Sequence, residues 1–387
     1  MRRALALLPV GHAARIDVLP DYYLALLESG DPAEASAVAA ELQASPEEAA
    51  QAYGAMFAGE LEITNRRSST FGSPEFQRTV ASAVERFERL GDSKGLAYAF
   101  RIAGWERWAS LRFAEAIEKF EAAAAHAARA GIQYLEDEAR ARIARAHASG
   151  PTPVTETIRR LEELAREHAD RPLAVAGIQS GIARALAMRG DIAAAHELQD
   201  AEEIYLEAGM VMEATSLYWT KAFVARCAGD VEEEERLLRE MVEILEELDD
   251  RVYLSTHVMQ LGLCLAERGK DEEAWRALRR AQEVTSDDDI IDVVGLGVLE
   301  AVLRARRGEL EQAQELGRRA LARGDETDHI NLQLDTRWRA AEVFELAGRG
   351  DEAKALLEES VEIAERYGHV VAAQRARDRL GREGAFG

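Results

Sequence analysis

Apolar side chains recur at three- and four-residue spacing along most of the chain, as in the stretch from Phe113 to Ala130. That is the period of a helix with one buried stripe. The runs come in pairs separated by a short polar turn. In the C-terminal half the turn has one recurring form: Gly190-Asp-Ile-Ala-Ala-Ala195, Gly229-Asp-Val-Glu-Glu-Glu234, Gly269-Lys-Asp-Glu-Glu-Ala274, Gly308-Glu-Leu-Glu-Gln-Ala313 and Gly348-Arg-Gly-Asp-Glu-Ala353. Successive glycines stand 39 or 40 residues apart. Gly supplies the left-handed cap that ends one helix, and the acidic residue that usually follows suits the positive N-terminus of the next. A fixed period of about 40 residues holding two helices predicts an all-α superhelix, a solenoid of helical hairpins. Turns near Gly150, Ser110, Gly72 and Gly30 extend the count backwards to about nine hairpins.

A second regularity fixes the register. Seven residues before the five turn glycines lie Ala183, Ala222, Gly262, Ala301 and Ala341, and Gly104 holds the matching place before the turn at Ser110. Small side chains there let the two helices of a hairpin approach closely. This resembles the tetratricopeptide hairpin, with a period longer than the usual 34 residues and helices about a turn longer. The array is expected to run as one body over 1–387. Within it, 63–74 is a possible hinge, 150–154 a proline-rich connector, and 370–380 a helix that caps the end with Arg, Gln and Asp facing solvent.

Composition narrows the function. A formal net charge of −23 argues against nucleic acid, whose phosphates demand basic patches, and permits a basic partner. No stretch approaches the roughly 20 apolar residues of a membrane span, and the short apolar opening ends at Pro9, so no membrane association and a cytoplasmic location are expected. Cys227 and Cys264 match no metal-ligand spacing and read as buried, reduced thiols. No phosphate loop or nucleophile elbow is present, and none of the eight histidines falls in an H-E-x-x-H pattern. Gly295-Leu-Gly297 reads as a close helix contact. The chain is therefore expected to be no enzyme, with no catalytic residue, metal or cofactor.

What remains is a surface. In solenoids of paired helices the first helix of each pair lines the concave groove. Counting −6, −3, +1 and +4 from the small residue collects Tyr98, Arg101, Trp105, Trp108, Arg184, Trp219, Phe223, Arg226, Met259 and Trp338 as a candidate partner-binding groove. Aromatics and Arg dominate binding hot spots, although the same side chains also pack between repeats. The hairpin of Ala301 contributes no large side chain to this set.

Further segments carry a family resemblance: Gly150-Pro-Thr-Pro-Val154, Tyr253-Leu-Ser-Thr256, Arg307-Gly-Glu-Leu-Glu-Gln-Ala313, Asp325-Glu-Thr-Asp328 with Asn331-Leu-Gln333, and Val370-Val-Ala-Ala-Gln-Arg-Ala-Arg377. The chain resembles the C-terminal tetratricopeptide region of bacterial, actinobacterial-type signalling proteins that join an adenylate/guanylate cyclase to a STAND ATPase. It holds no cyclase motif and no phosphate-binding loop. Two readings follow. One is a non-enzymatic interaction or regulatory scaffold that binds a peptide, partner protein or effector in its groove. The resemblance implies the other, a sensory arm acting on a cyclase–ATPase in cis or in trans.

Overall fold

The computed structural model describes residues 2–28, 31–66, 73–198, 202–207, 210–248, 251–285 and 289–383. The chain opens with α1 (Arg2–Leu5), α2 (Ala13–Glu28), α3 (Pro32–Gln43), α4 (Glu48–Arg66), α5 (Pro74–Leu90), α6 (Ser93–Ala109), α7 (Phe113–Ala130) and α8 (Gln133–Ser149). It continues with α9 (Val154–Glu167), α10 (Pro172–Arg189), α11 (Ile192–Glu197), α12 (Glu202–Glu207), α13 (Val211–Ala228) and α14 (Val231–Glu247). The last group is α15 (Arg251–Glu267), α16 (Asp271–Val284), α17 (Ile290–Arg306), α18 (Leu310–Asp325), α19 (Ile330–Leu346), α20 (Gly350–Tyr367) and α21 (Val370–Glu383). Among the described residues these form nine successive hairpins, with α11 and α12 sharing one second-helix slot. The fold is an all-α, tetratricopeptide-like helical repeat. Most of the expected hinge, residues 67–72, lies outside the described residues; α4 runs to Arg66, and Ser73 caps α5 by accepting from the Phe76 N–H at 3.2 Å.

The five repeated turns share one geometry. Each Gly has positive φ, from +71° at Gly269 and Gly348 to +95° at Gly190. The next residue's N–H reaches back to the carbonyl four before the Gly, as from Asp191 to Leu186 and from Asp230 to Ala225, both at 3.0 Å. This satisfies carbonyls that a helix end leaves without partners. Asp230 then caps the following helix, accepting from the Glu233 N–H at 3.0 Å.

The two helices of a pair are buried differently. Second helices such as α16 bury one stripe: Ala274, Trp275, Ala277, Leu278, Ala281 and Val284. First helices are enclosed around most of their circumference, and in α10 every residue from Ser180 to Met188 is buried. Each first helix packs on its own partner and on neighbouring first helices, which explains the apolar all-round pattern. The small residues sit where the helices meet. A Cβ on Gly104 would lie 2.5 Å from the Phe120 ring of the paired helix, and one on Gly262 would lie 2.7 Å from Leu299 of the next first helix.

The chain divides into two compact units, 1–110 with 115–140, and 111–114 with 141–387. In the first, Tyr23 stacks on Phe57 with ring centroids 3.8 Å apart, at the centre of a core that includes Leu19, Met56 and Phe87. In the second, the first helices α10, α13, α15, α17 and α19 succeed one another, and α10 also touches the closing helix α21.

Candidate binding site

The ten groove residues fall in both units, and the structure treats them unequally. In the first unit Tyr98 is buried and its hydroxyl donates to Asp21 at 2.8 Å. Buried Arg101 pairs with Glu60 at 2.8 Å and Glu138 at 3.1 Å. Half-buried Trp105 meets Trp108 and Phe120 edge-on, at 6.0 and 6.4 Å between centroids. All four side chains have contacts within their own unit.

The six in the second unit lie on successive first helices. Arg184 of α10 is 4% exposed, and its guanidinium carbon lies 4.1 Å from the Phe223 ring centroid and 5.1 Å from that of Trp219. Arg226 of α13 donates to Asp335 of α19 at 2.5 Å, to Glu234 at 3.0 Å and to Gln260 at 3.2 Å. Met259 is fully buried, and the missing side chain of Gly295 makes room for its sulfur, so that glycine does mark a close helix contact. Trp338 of α19 carries two guanidiniums from α21, Arg375 at 4.1 Å and Arg379 at 4.6 Å.

Charges join these side chains into one alternating line. Asp335 lies 3.8 Å from Arg339, Arg339 lies 3.5 Å from Glu267, and Glu267 pairs with Arg375 over Trp338. Burial alone would raise the Asp335 carboxyl, but Arg226, Arg339 and Arg375 pull it down to about 2. Such alternation is what allows charge to persist where water is scarce.

Beside this line, α15, α17, α19 and α21 border a half-open cavity of about 330 Å³, lined by Leu263, Ala266, Leu299 and Val302 on its apolar side. Its polar wall is three ion pairs: Arg306–Glu342 and Arg379–Glu345, both at 2.7 Å, and Arg339–Glu267. The volume falls at the lower end of ligand pockets, about 300–1,000 Å³, and the mixture of apolar floor and few polar groups is typical of them. Among the described residues no group of three or more His, Cys, Asp or Glu could hold a metal ion, and no helix is long and apolar enough to cross a membrane.

Selecting large aromatic and Arg side chains captures only Trp338 of this lining. The register is informative all the same, since Leu263, Ala266, Val302, Glu342 and Glu345 occupy its +1 and +4 places. The Ala301 hairpin, expected to contribute nothing large, supplies Arg306 from one place beyond that register. The closing helix, expected to face solvent, turns Arg375 and Arg379 onto Trp338.

This arrangement of stacked hairpins with a lined inner face is that of tetratricopeptide-like helical repeat proteins. Among solved structures the chain is similar to a Rap protein complexed with Competence and Sporulation Factor, at 14% identity and a TM-score of 0.63, covering 92% of this chain and 99% of that one. It is also similar to NprR in complex with its cognate peptide NprX, at 13% identity and a TM-score of 0.56, covering 97% and 99%. Likeness at this identity carries the fold alone. No protein-family model and no curated protein matches the sequence.

Proposed function

We propose that this chain is a non-enzymatic regulatory protein whose second unit takes a peptide along its first helices. The observation that carries this reading is the cavity between α15, α17, α19 and α21, apolar on one side and walled by charge-balanced ion pairs on the other. Balanced walls recognise a ligand by directed hydrogen bonds and shape rather than by net attraction. The two fold relatives support it, having been crystallised with Competence and Sporulation Factor and with a cognate peptide. The sequence resemblance to cyclase–ATPase repeat regions makes such an enzyme the first activity to assay for a change of rate once a peptide is in hand.

The test is affinity capture. Immobilised full-length protein and its Ala266→Phe variant, which fills the cavity, are offered the peptide fraction of a native extract, and bound material is identified by mass spectrometry. Defined peptides held by the wild type and lost by a variant of unchanged helical circular dichroism are expected. Equal retention by both proteins, or none by either, would overturn the reading.

A further inference from the structure

Arg184 differs from three other buried arginines. Arg101, Arg337 and Arg339 each meet two carboxylates. Arg184 is as deeply buried, yet no carboxylate or hydrogen-bond acceptor among the described residues meets its guanidinium; what it has is the two rings of Phe223 and Trp219. Its charged surroundings are Arg226 and Arg145, both repulsive. Cys227 does not neutralise it, because burial raises that thiol to about 12. Burial, with those two arginines, lowers the Arg184 guanidinium to about 10, still charged at neutral pH.

An unpaired buried charge is strongly unfavourable, and a protein that only needed to fill this space would do better with Met or Leu. The rings explain how the charge is held. Ring faces attract the cation without taking its N–H donors as a hydrogen-bond acceptor would, and those donors keep the fork that matches a carboxylate. Arg226 is already compensated by Glu234 and Asp335 and does not compete with Arg184 for a ligand carboxylate.

We propose that Arg184, braced by Phe223 and Trp219, is the receptor for a single carboxylate of the bound peptide, either its C-terminus or an Asp or Glu side chain. This rests on the peptide-binding reading, and the experiment separates the two. Full-length protein labelled with ¹⁵N-arginine is titrated with sodium acetate against sodium chloride at constant ionic strength, following the Nε–H resonance that disappears in Arg184→Gln. A saturable shift with acetate and none with chloride is expected. A resonance that acetate leaves in place, or that inorganic phosphate moves further, would overturn the proposal.

In parallel, random octapeptide pools with free or amidated C-termini are offered to wild type, Arg184→Gln and the charge-conserving Arg184→Lys. Recovery at least tenfold lower on Arg184→Gln is expected, with Arg184→Lys intermediate because ammonium lacks the fork. Loss on amidation assigns the C-terminal carboxylate; retention only of amidated peptides holding Asp or Glu assigns a side chain. Peptides held equally by wild type and Arg184→Gln would remove the carboxylate site and leave the peptide reading standing. An acetate shift without any peptide retained would do the reverse.

Discussion

Two histidines show how much of this molecule is set by individual protonation states. His329 and His369 stand 40 residues apart, just before α19 and α21, and each uses its Nδ1 to accept a backbone N–H, from Leu332 and Ala372, both at 3.2 Å. Only a neutral imidazole can do this. Burial lowers His329 to about 3 and His369 to about 4. Arg184 adds to the effect at His329 while Asp335 opposes it; at His369, Asp335 opposes it and Arg226 adds to it. Above the ordinary value near 6.5 neither state is protonated and the histidines contribute nothing to pH dependence. Below it the unfolded chain binds protons that the native one refuses, so stability falls as pH falls towards 4. The unfolding free energy from urea titration should drop between pH 7 and pH 5, by about 1–2 kcal/mol for each of the two histidines. The double variant His329→Asn/His369→Asn, which keeps a capping acceptor without a titration, should lose that share of the drop. An unchanged pH profile in the variant would contradict the assignment.

The elements obey two signals of different range. Turn glycines and small residues are local, so a repeat of 39 or 40 residues displays them and the hairpins follow. The site is legible only in part. The register finds the inner face because first helices repeat, and Trp338 follows from it. Arg339 reaches Asp335 at ordinary i,i+4 helical spacing, but Arg226 and Arg375 come to it from 109 and 40 positions away, and no periodicity carries that information. Nor could the sequence say that Arg184 would find no carboxylate. The same two signals make a ranked prediction. Gly308→Ala adds a Cβ with nothing within 4 Å, so its cost is the left-handed backbone alone, about 1 kcal/mol. Gly104→Ala drives a Cβ into the fully buried Phe120 ring and should cost more, about 1–3 kcal/mol, despite the better helix propensity of Ala. Urea unfolding that ranked the two the other way would mean that α6 and α7 are free to separate.

Across the molecule the two units put their resources to different uses. In the first, Tyr98, Arg101 and Trp105 are absorbed by neighbours of their own unit. In the second, the first helices carry a line of compensated charge, the Arg184 guanidinium held against two rings and a cavity, while the second helices present the usual amphipathic stripe. A formal net charge of −23 discourages acidic macromolecules from approaching, so a ligand carboxylate must be recognised locally rather than drawn in by the field. The central claim is that ligand lies along first helices. Amide hydrogen exchange of the full-length protein, with and without a captured peptide, tests it most directly. Binding should slow exchange in α10, α13, α15, α17, α19 and α21 and leave α14, α16, α18 and α20 unchanged. Slowing confined to the second helices, or to the first unit, would contradict it.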